Sequence, residues 1–397
     1  MKLSRTLVNA AALCALGTLC GLMPACGGGG SSTTTPPPPP PTATNYTTCA
    51  DQQVPNWQSN LFQSNYQAAI KALVNHVSTA SYAPQIGYIR VGLGRGGETQ
   101  IPLNWNDPSS GSCYQSFTVD WQYTVDGTTA TSSTWNGYLT SMLQYEGSLS
   151  SPKKLMIGLA PMVVGDNSTM DYLAGVAVGQ GVAFGMQGLS ASDNPASYCD
   201  ADWCNLFTNL YPTSTPRELQ TIGPSCPPGM VCSGQQAQTG PLPPLLTLGT
   251  ANNANAFEIY AADWEIAYDP NSSNYATSGA SYQSALSTAA TSASLYVFNA
   301  DPTDSDLQTY VLPHASGIVL NVDWSDFQPN DANSFDWTIT DNSITSWLSA
   351  GAKSVNLVLD NTTDGSSTDC SAKQIGSNGS SASGNCAMPQ WMWTVLQ

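Results

Sequence analysis

An α/β fold, the (β/α)8 barrel of eight parallel strands with helices between them, is what this chain predicts, on three observations. Short apolar runs rich in β-branched residues alternate with stretches whose apolar residues recur at helical spacing. The alternation runs without a break in composition from residue 46 to residue 397, a span that suits one barrel of about 250 residues or more with long loops. The best-defined run, Ile86–Leu93 (IGYIRVGL), is closed by Gly92, Gly94, Gly96 and Gly97 and leads to Glu98. Glycines let the backbone turn sharply there, which sets a carboxylate at the end of a strand, where barrel enzymes keep their chemistry.

Residues 1–25 read as a targeting segment and residues 26–45 as a tether. Lys2 and Arg5 precede an apolar stretch, Leu7–Leu22, of signal-peptide length. Leu22-Met23-Pro24-Ala25-Cys26 resembles the lipobox of bacterial lipoproteins, which implies acylation of Cys26 and export to an outer membrane or cell surface. Gly27–Gly30, Ser31–Thr35 and Pro36–Pro41 bury nothing and serve as a flexible, then stiff, spacer. No later stretch of 18 apolar residues exists, so membrane contact is expected through the lipid anchor alone.

From residue 46 the elements come in order. Tyr46–Val54 is a possible strand, and Leu61–Val77 places Leu61, Tyr66, Ile70, Leu73, Val74 and Val77 on one helical stripe. The Ile86 strand comes next, then a polar, aromatic insert over 104–131, a helix over Trp135–Tyr145 and a strand at Lys154–Leu159. A helix at Ser168–Gly175 leads to strands starting at Val182, Pro216 and Ala256. Gly317–Trp324 and Ser354–Asp360 are strands flanking a helix over Phe335–Ala350 that Gly351 stops. These make seven strands, with Tyr46–Val54 as the candidate eighth.

Composition narrows the partner. With 10 Lys and Arg against 27 Asp and Glu, the formal charge is −17, which excludes nucleic acid and anionic surfaces as natural partners. An uncharged polar ligand fits better. Eight cysteines lie beyond the tether, an even number that in an exported chain means disulfides. Proximity pairs Cys199 with Cys204, Cys226 with Cys232, Cys370 with Cys386 and Cys49 with Cys113. No C-x-x-C pair occurs and His76 and His314 are isolated, so neither a metal nor another cofactor is expected.

The stretch GIVLNVDWSDFQPNDANSFDWTITDNSITSWLSAGAKSVNLVLD, over 317–360, resembles the opening β-α-β unit of retaining glycoside hydrolases of the clan A barrel type, such as β-galactosidase-like and cellulase-like enzymes. Trp324, Pro329, Phe335, Asp336, Trp337, Asp341, Gly351 and Asp360 fill that unit's slots, and Met388-Pro389-Gln390-Trp391 resembles the segment after the unit's second strand. In the family the unit opens the barrel; here it stands last, so the resemblance implies a circularly permuted barrel, with a tandem arrangement cut at both ends as the alternative. IGYIRVG resembles the approach to the family's fourth strand, which implies Glu98 as general acid/base, with Gly97 in place of the family's Asn before the glutamate. PRELQTI resembles the seventh strand, implying Glu218 as nucleophile, and AFEIYAADW the eighth.

The residue types suit that chemistry. Retaining hydrolysis needs a carboxylic acid and a carboxylate about 5–5.5 Å apart, and Arg90 or Arg217 could keep the carboxylate ionised. Glu258 stands in an apolar strand as substrate ligand or third carboxyl. Trp57, Trp264 and Trp324 are candidate sugar platforms, with Trp105 beside them, and Gln187, Gln220, Asp360 and Asn361 candidate hydroxyl ligands. Trp337, Trp347 and Trp391 sit on helical stretches and read as core. The expected activity is hydrolysis of a neutral β-linked oligo- or polysaccharide at the cell surface. The alternative is a carbohydrate-binding lipoprotein whose barrel has lost catalysis.

Overall fold

Eight parallel strands close on themselves in the computed structural model, each neighbour in space being the neighbour in sequence. The structure describes residues 46–49, 52–55, 60–94, 97–99, 122–125, 128–160, 168–191, 202–361, 388–389 and 391–392. Cys26, Trp57, Trp105, Cys113, Cys199, Cys370 and Cys386 lie outside them.

The first described elements are an antiparallel hairpin, β1 (Tyr46–Cys49) and β2 (Gln52–Pro55), followed by α1 (Asn60–Thr79) and β3 (Ile86–Val91). A second hairpin, β4 (Gln122–Val125) and β5 (Thr128–Thr131), precedes α2 (Ser132–Ser148), β6 (Lys154–Leu159), α3 (Ser168–Gly179) and β7 (Ala183–Leu189). Then come α4 (Asp202–Asn205), β8 (Arg217–Thr221), α5 (Gly234–Thr239), α6 (Leu242–Ala251), β9 (Ala256–Tyr260) and α7 (Ala261–Tyr268). The last third holds α8 (Ala280–Ala289), β10 (Ser294–Phe298), β11 (Gly317–Asp323), α9 (Trp324–Phe327), α10 (Thr338–Ser349) and β12 (Val355–Asp360). The barrel order is β3-β6-β7-β8-β9-β10-β11-β12, and β12 pairs back onto β3.

The eighth strand is therefore Ser294–Phe298 and not Tyr46–Val54. SLYVF is short and follows a run of small polar residues without a Gly or Pro stop, so its boundary carries no turn signal. The segment Tyr46–Pro55 instead pairs with itself. The helix expected from Phe335 starts at Thr338, after the Asp336 carboxylate accepts the Thr338 N–H at 3.0 Å.

Period-two alternation divides each barrel strand between two cores. Outward residues such as Ile89, Ile157, Phe184, Leu219, Phe257, Leu295, Ile318 and Leu357 pack under the helices, joined by Phe62, Tyr66, Ile70 and Leu73 of α1. Inward, Tyr88, Met156 and Ala183, with Tyr296 against them, form a separate apolar cluster. Above it the interior turns polar.

The strands' N-terminal end, the floor, is tied by cations. Lys153 donates to the carbonyls of Ala83 and Ile86, Lys154 to Gly181 at 2.7 Å, and Lys353 to Pro313 and Ala315 at 2.8 and 2.9 Å. Arg217 reaches the carbonyls of Pro212, Ser214 and Asn253, each at 2.6 Å. Its guanidinium is thus turned away from the interior and supports no carboxylate there. Cys226 and Cys232 form a disulfide, and Cys204 is disulfide-bonded as well. No helix among the described residues is long and apolar enough to cross a membrane.

Candidate active site

The polar interior starts at Arg90, the inward residue of β3 two positions beyond Tyr88. Its Nη1 donates to Glu258 of β9 at 3.0 Å and to Glu218 of β8 at 3.5 Å, and its Nη2 to Gln220 at 3.5 Å. Arg90 is 2 % exposed and both glutamates 0 %. Burial would lower the Arg90 pKa, but the Glu258 and Glu218 charges outweigh it and raise it. The guanidinium stays charged.

One cation faces two carboxyls, and they are held differently. Glu258 accepts from Arg90 at one oxygen and from the Tyr88 hydroxyl at the other, 2.6 Å away. Glu218 accepts from both Arg90 and Gln187 Nε2 (3.0 Å) at Oε2, while its Oε1 has no partner. Burial first, and then the charge of Glu258, push the Glu218 pKa well above the usual carboxylate value against the pull of Arg90 and Gln187. With both donors on Oε2, Oε1 is the oxygen open to a proton.

Glycines make room for this group. A Cβ at Gly185 would lie 2.0 Å from Glu218 Oε2, and one at Gly158 would lie 2.4 Å from Gln187 Oε1. Glu98 bridges to Gly158, Gly158 is in register with Gly185, and Gly185 with Glu218. Glu98 and Glu218 therefore stand on one register line across the sheet with two side-chain-free positions between them. The Glu98 charge also raises Glu218, behind burial and Glu258. Glu98 is half-buried at the mouth.

Other expected site residues scatter. Trp264 and Trp324 are both 0 % exposed and offer no face to a sugar. Trp264 stacks on Tyr268, and Trp324 packs on Phe62, Tyr66 and Trp391 with its indole N–H on Gln328 Oε1 at 2.6 Å. Both follow strand ends in sequence, yet Trp264 lies within α7 and Trp324 begins α9, and both side chains join the outer core. Asn361 is buried and donates to the Gly92 carbonyl at 3.1 Å, holding the turn after β3. Asp360 ends β12 in register with Asp323 of β11; burial, then Asp326 and Asp360, push Asp323 up to about 7.

The aromatic wall that sequence reading missed is Tyr260 against Phe298, ring centroids 5.1 Å apart at 82°. Both are half-buried and end adjacent strands, β9 and β10. Alternation from Glu258 would have placed Tyr260 inward, but Phe298 needed the unrecognised strand. Among the described residues no His, Cys, Asp and Glu cluster could hold a metal ion. His76 pairs with Asp341 at 2.7 Å and stacks on Trp337, and His314 stacks on Tyr268.

Compared with known proteins, the chain matches no family model, and no curated protein is similar enough to stand as a relative.

Proposed function

We propose that the protein is a retaining glycoside hydrolase for a neutral β-linked saccharide, with Glu258 as the nucleophile and Glu218 as the acid. The single observation that carries this reading is that two buried carboxyls share one Arg90 nitrogen, while burial and the Glu258 charge raise the Glu218 pKa. Environments that drive two neighbouring carboxyls apart in pKa make an acid and a base of them. Sharing one nitrogen also favours the close spacing of retaining hydrolysis over the wider gap, about 6.5–9.5 Å, that an inverting enzyme leaves for water. Glu98, at the mouth on the same register line, orients the substrate.

The eighth strand supports the change of role. Counted from β11 as first, Ala256–Tyr260 is the seventh strand and Arg217–Thr221 the sixth. In the family that the 317–360 stretch resembles, the seventh carries the nucleophile, which moves that role from Glu218 to Glu258. The fourth, whose end carries the acid, becomes Lys154–Leu159, so Glu218 takes the acid role on its contacts with Arg90 and Gln187 and not on this count. A closed barrel keeps the same cyclic order wherever its chain begins, so a permuted start fits this count. Export on a Cys26 lipid anchor completes the proposal and places the site where polysaccharide is met.

Glu258→Gln and Glu258→Ala, assayed on aryl β-glycosides, test it. The expected result is loss of turnover by roughly 10³-fold or more, with azide restoring the alanine variant and yielding a glycosyl azide of inverted anomeric configuration. Full activity in Glu258→Gln overturns the assignment. The complete burial of Glu218 and Glu258 favours the second reading, a saccharide-binding lipoprotein with a structural ion network. That reading predicts sugar binding without turnover in the parent and in both variants.

A further inference from the structure

Charge is spread unevenly along the barrel axis. Apart from Lys71 and Arg90, every Lys and Arg among the described residues stands at the floor: Lys153, Lys154, Arg217 and Lys353. The eight connections that lead into barrel strands, 80–85, 149–153, 180–182, 211–216, 252–255, 290–293, 312–316 and 350–354, hold no Asp or Glu. Those that leave β3, β10 and β11 at the mouth carry Glu98, Asp301, Asp304, Asp306, Asp331 and Asp336. The formal charge of −17 thus hides a cationic end. At physiological salt charges are screened beyond about 8 Å, so what approaches the floor meets the floor's own charge and not the total.

The floor's cations are fixed in place. Helix C-termini favour cations there, and the carbonyl bonds hold each side chain still. Lys154 gives one N–H to Gly181 at 2.7 Å, and Lys353 gives two, to Pro313 and Ala315 at 2.8 and 2.9 Å. An ammonium has three N–H groups, so each lysine keeps a donor, and both are exposed. Arg217 bonds its carbonyls through Nε and Nη1, which leaves Nη2. Immobilised cations with donors to spare suit phosphate oxygens, because the cost of ordering long side chains has already been met on folding.

We propose that the floor docks on the anionic phospholipid headgroups of a bilayer, seating the barrel with its mouth turned away from the membrane. The choice of a bilayer rests on the proposed Cys26 anchor, which sets the barrel beside one. Tyr66, early in α1, donates to the Gly92 carbonyl beyond β3 at 2.6 Å, so the chain enters α1 at the mouth. The 20 residues of α1 cover about 30 Å, whereas residues 26–45, extended, reach about 70 Å. The anchor therefore leaves the floor free to meet the headgroups. Each Lys or Arg near an anionic surface strengthens binding about fivefold.

The test uses full-length protein carrying Cys26→Ser, which accepts no acyl chain on that residue, with limiting vesicles of phosphatidylcholine alone or of three parts phosphatidylcholine to one of phosphatidylglycerol, at low and high salt. The expected result is a preference of roughly tenfold or more for the anionic vesicles at low salt, lost at high salt. Adding Lys154→Gln/Lys353→Gln, whose amides can still donate to the same carbonyls, removes most of that preference. Lys71→Glu, an equal change of net charge at an exposed position of α1, keeps it. Equal partition of the parent onto both vesicles overturns the inference, and so does an equal loss in the two variants. Binding of polyphosphate without vesicle preference, or a salt-sensitive dimer lost in the glutamine pair, seats a soluble polyanion or a second copy on the floor and overturns it as well. The anchor is read separately, from the mass of the exported protein: an unmodified Cys26 fails the anchor reading, while vesicle preference still decides the floor.

Discussion

The two ends of the barrel use their few cations in opposite ways. At the floor Lys153, Lys154, Arg217 and Lys353 all donate to backbone carbonyls; toward the mouth Arg90 faces two carboxyls and a glutamine. A cation on a carbonyl closes a loop and leaves no group in an unusual protonation state. A single cation shared by two buried carboxyls leaves the charge of one to raise the pKa of the other. The same contrast separates two buried glutamates. Glu146, 1 % exposed on α2, has no hydrogen-bond partner at either oxygen, and burial alone raises its pKa. Glu218 is raised by burial and by a neighbouring charge. Burial alone raises Glu146; Glu218 differs in having the Glu258 carboxyl beside it.

Removing the mouth's cation is the severest way to break that contrast. Arg90→Met strands two buried carboxyls, and urea denaturation at pH 7 should show a loss of about 3–5 kcal/mol. Next is Gly185→Ala, whose new Cβ would stand 2.0 Å from Glu218 Oε2. It should cost about 1–3 kcal/mol by overpacking and shift the acid limb of the pH–rate profile by displacing Glu218. A similar magnitude with opposite sign is expected of Glu146→Leu. A carboxyl whose pKa is raised on folding keeps its proton after the unfolded chain has released it. Stability therefore falls as pH rises from about 4.3 through the raised value. The variant should gain about 1–3 kcal/mol at pH 8 and less at pH 4, measured as the change in denaturation midpoint between the two. The smallest effect belongs to the floor: Lys154→Met removes one cap on Gly181 and should cost about 0.5–1.5 kcal/mol with turnover unchanged.

Much of the barrel was legible because periodicity is local. Ile86–Val91, Lys154–Leu159 and Val355–Asp360 begin within a residue of their expected starts, since each is an apolar run with a turn signal before it. Ser294–Phe298 lacked that signal. Its absence moved the strand count by one, and with it the family's nucleophile position from Glu258 to Glu218. Trp264 and Trp324 misled for a related reason. Nearness to a strand end says that a side chain follows the sheet, while the turn into the next helix decides which side of the sheet it joins.

By itself the sequence determined the acidic, weakly charged character of the chain, the strand and helix rhythm and the glycine-closed run that ends at Glu98, because composition and spacing act between residues close along the chain. Only the tertiary structure decided that Arg90 meets Glu218 and Glu258, that Gly158 and Gly185 clear the line to Glu98, and that Tyr260 and Phe298 form the wall. Those contacts join strands far apart in sequence through sheet register, and register is fixed by how all eight strands close together.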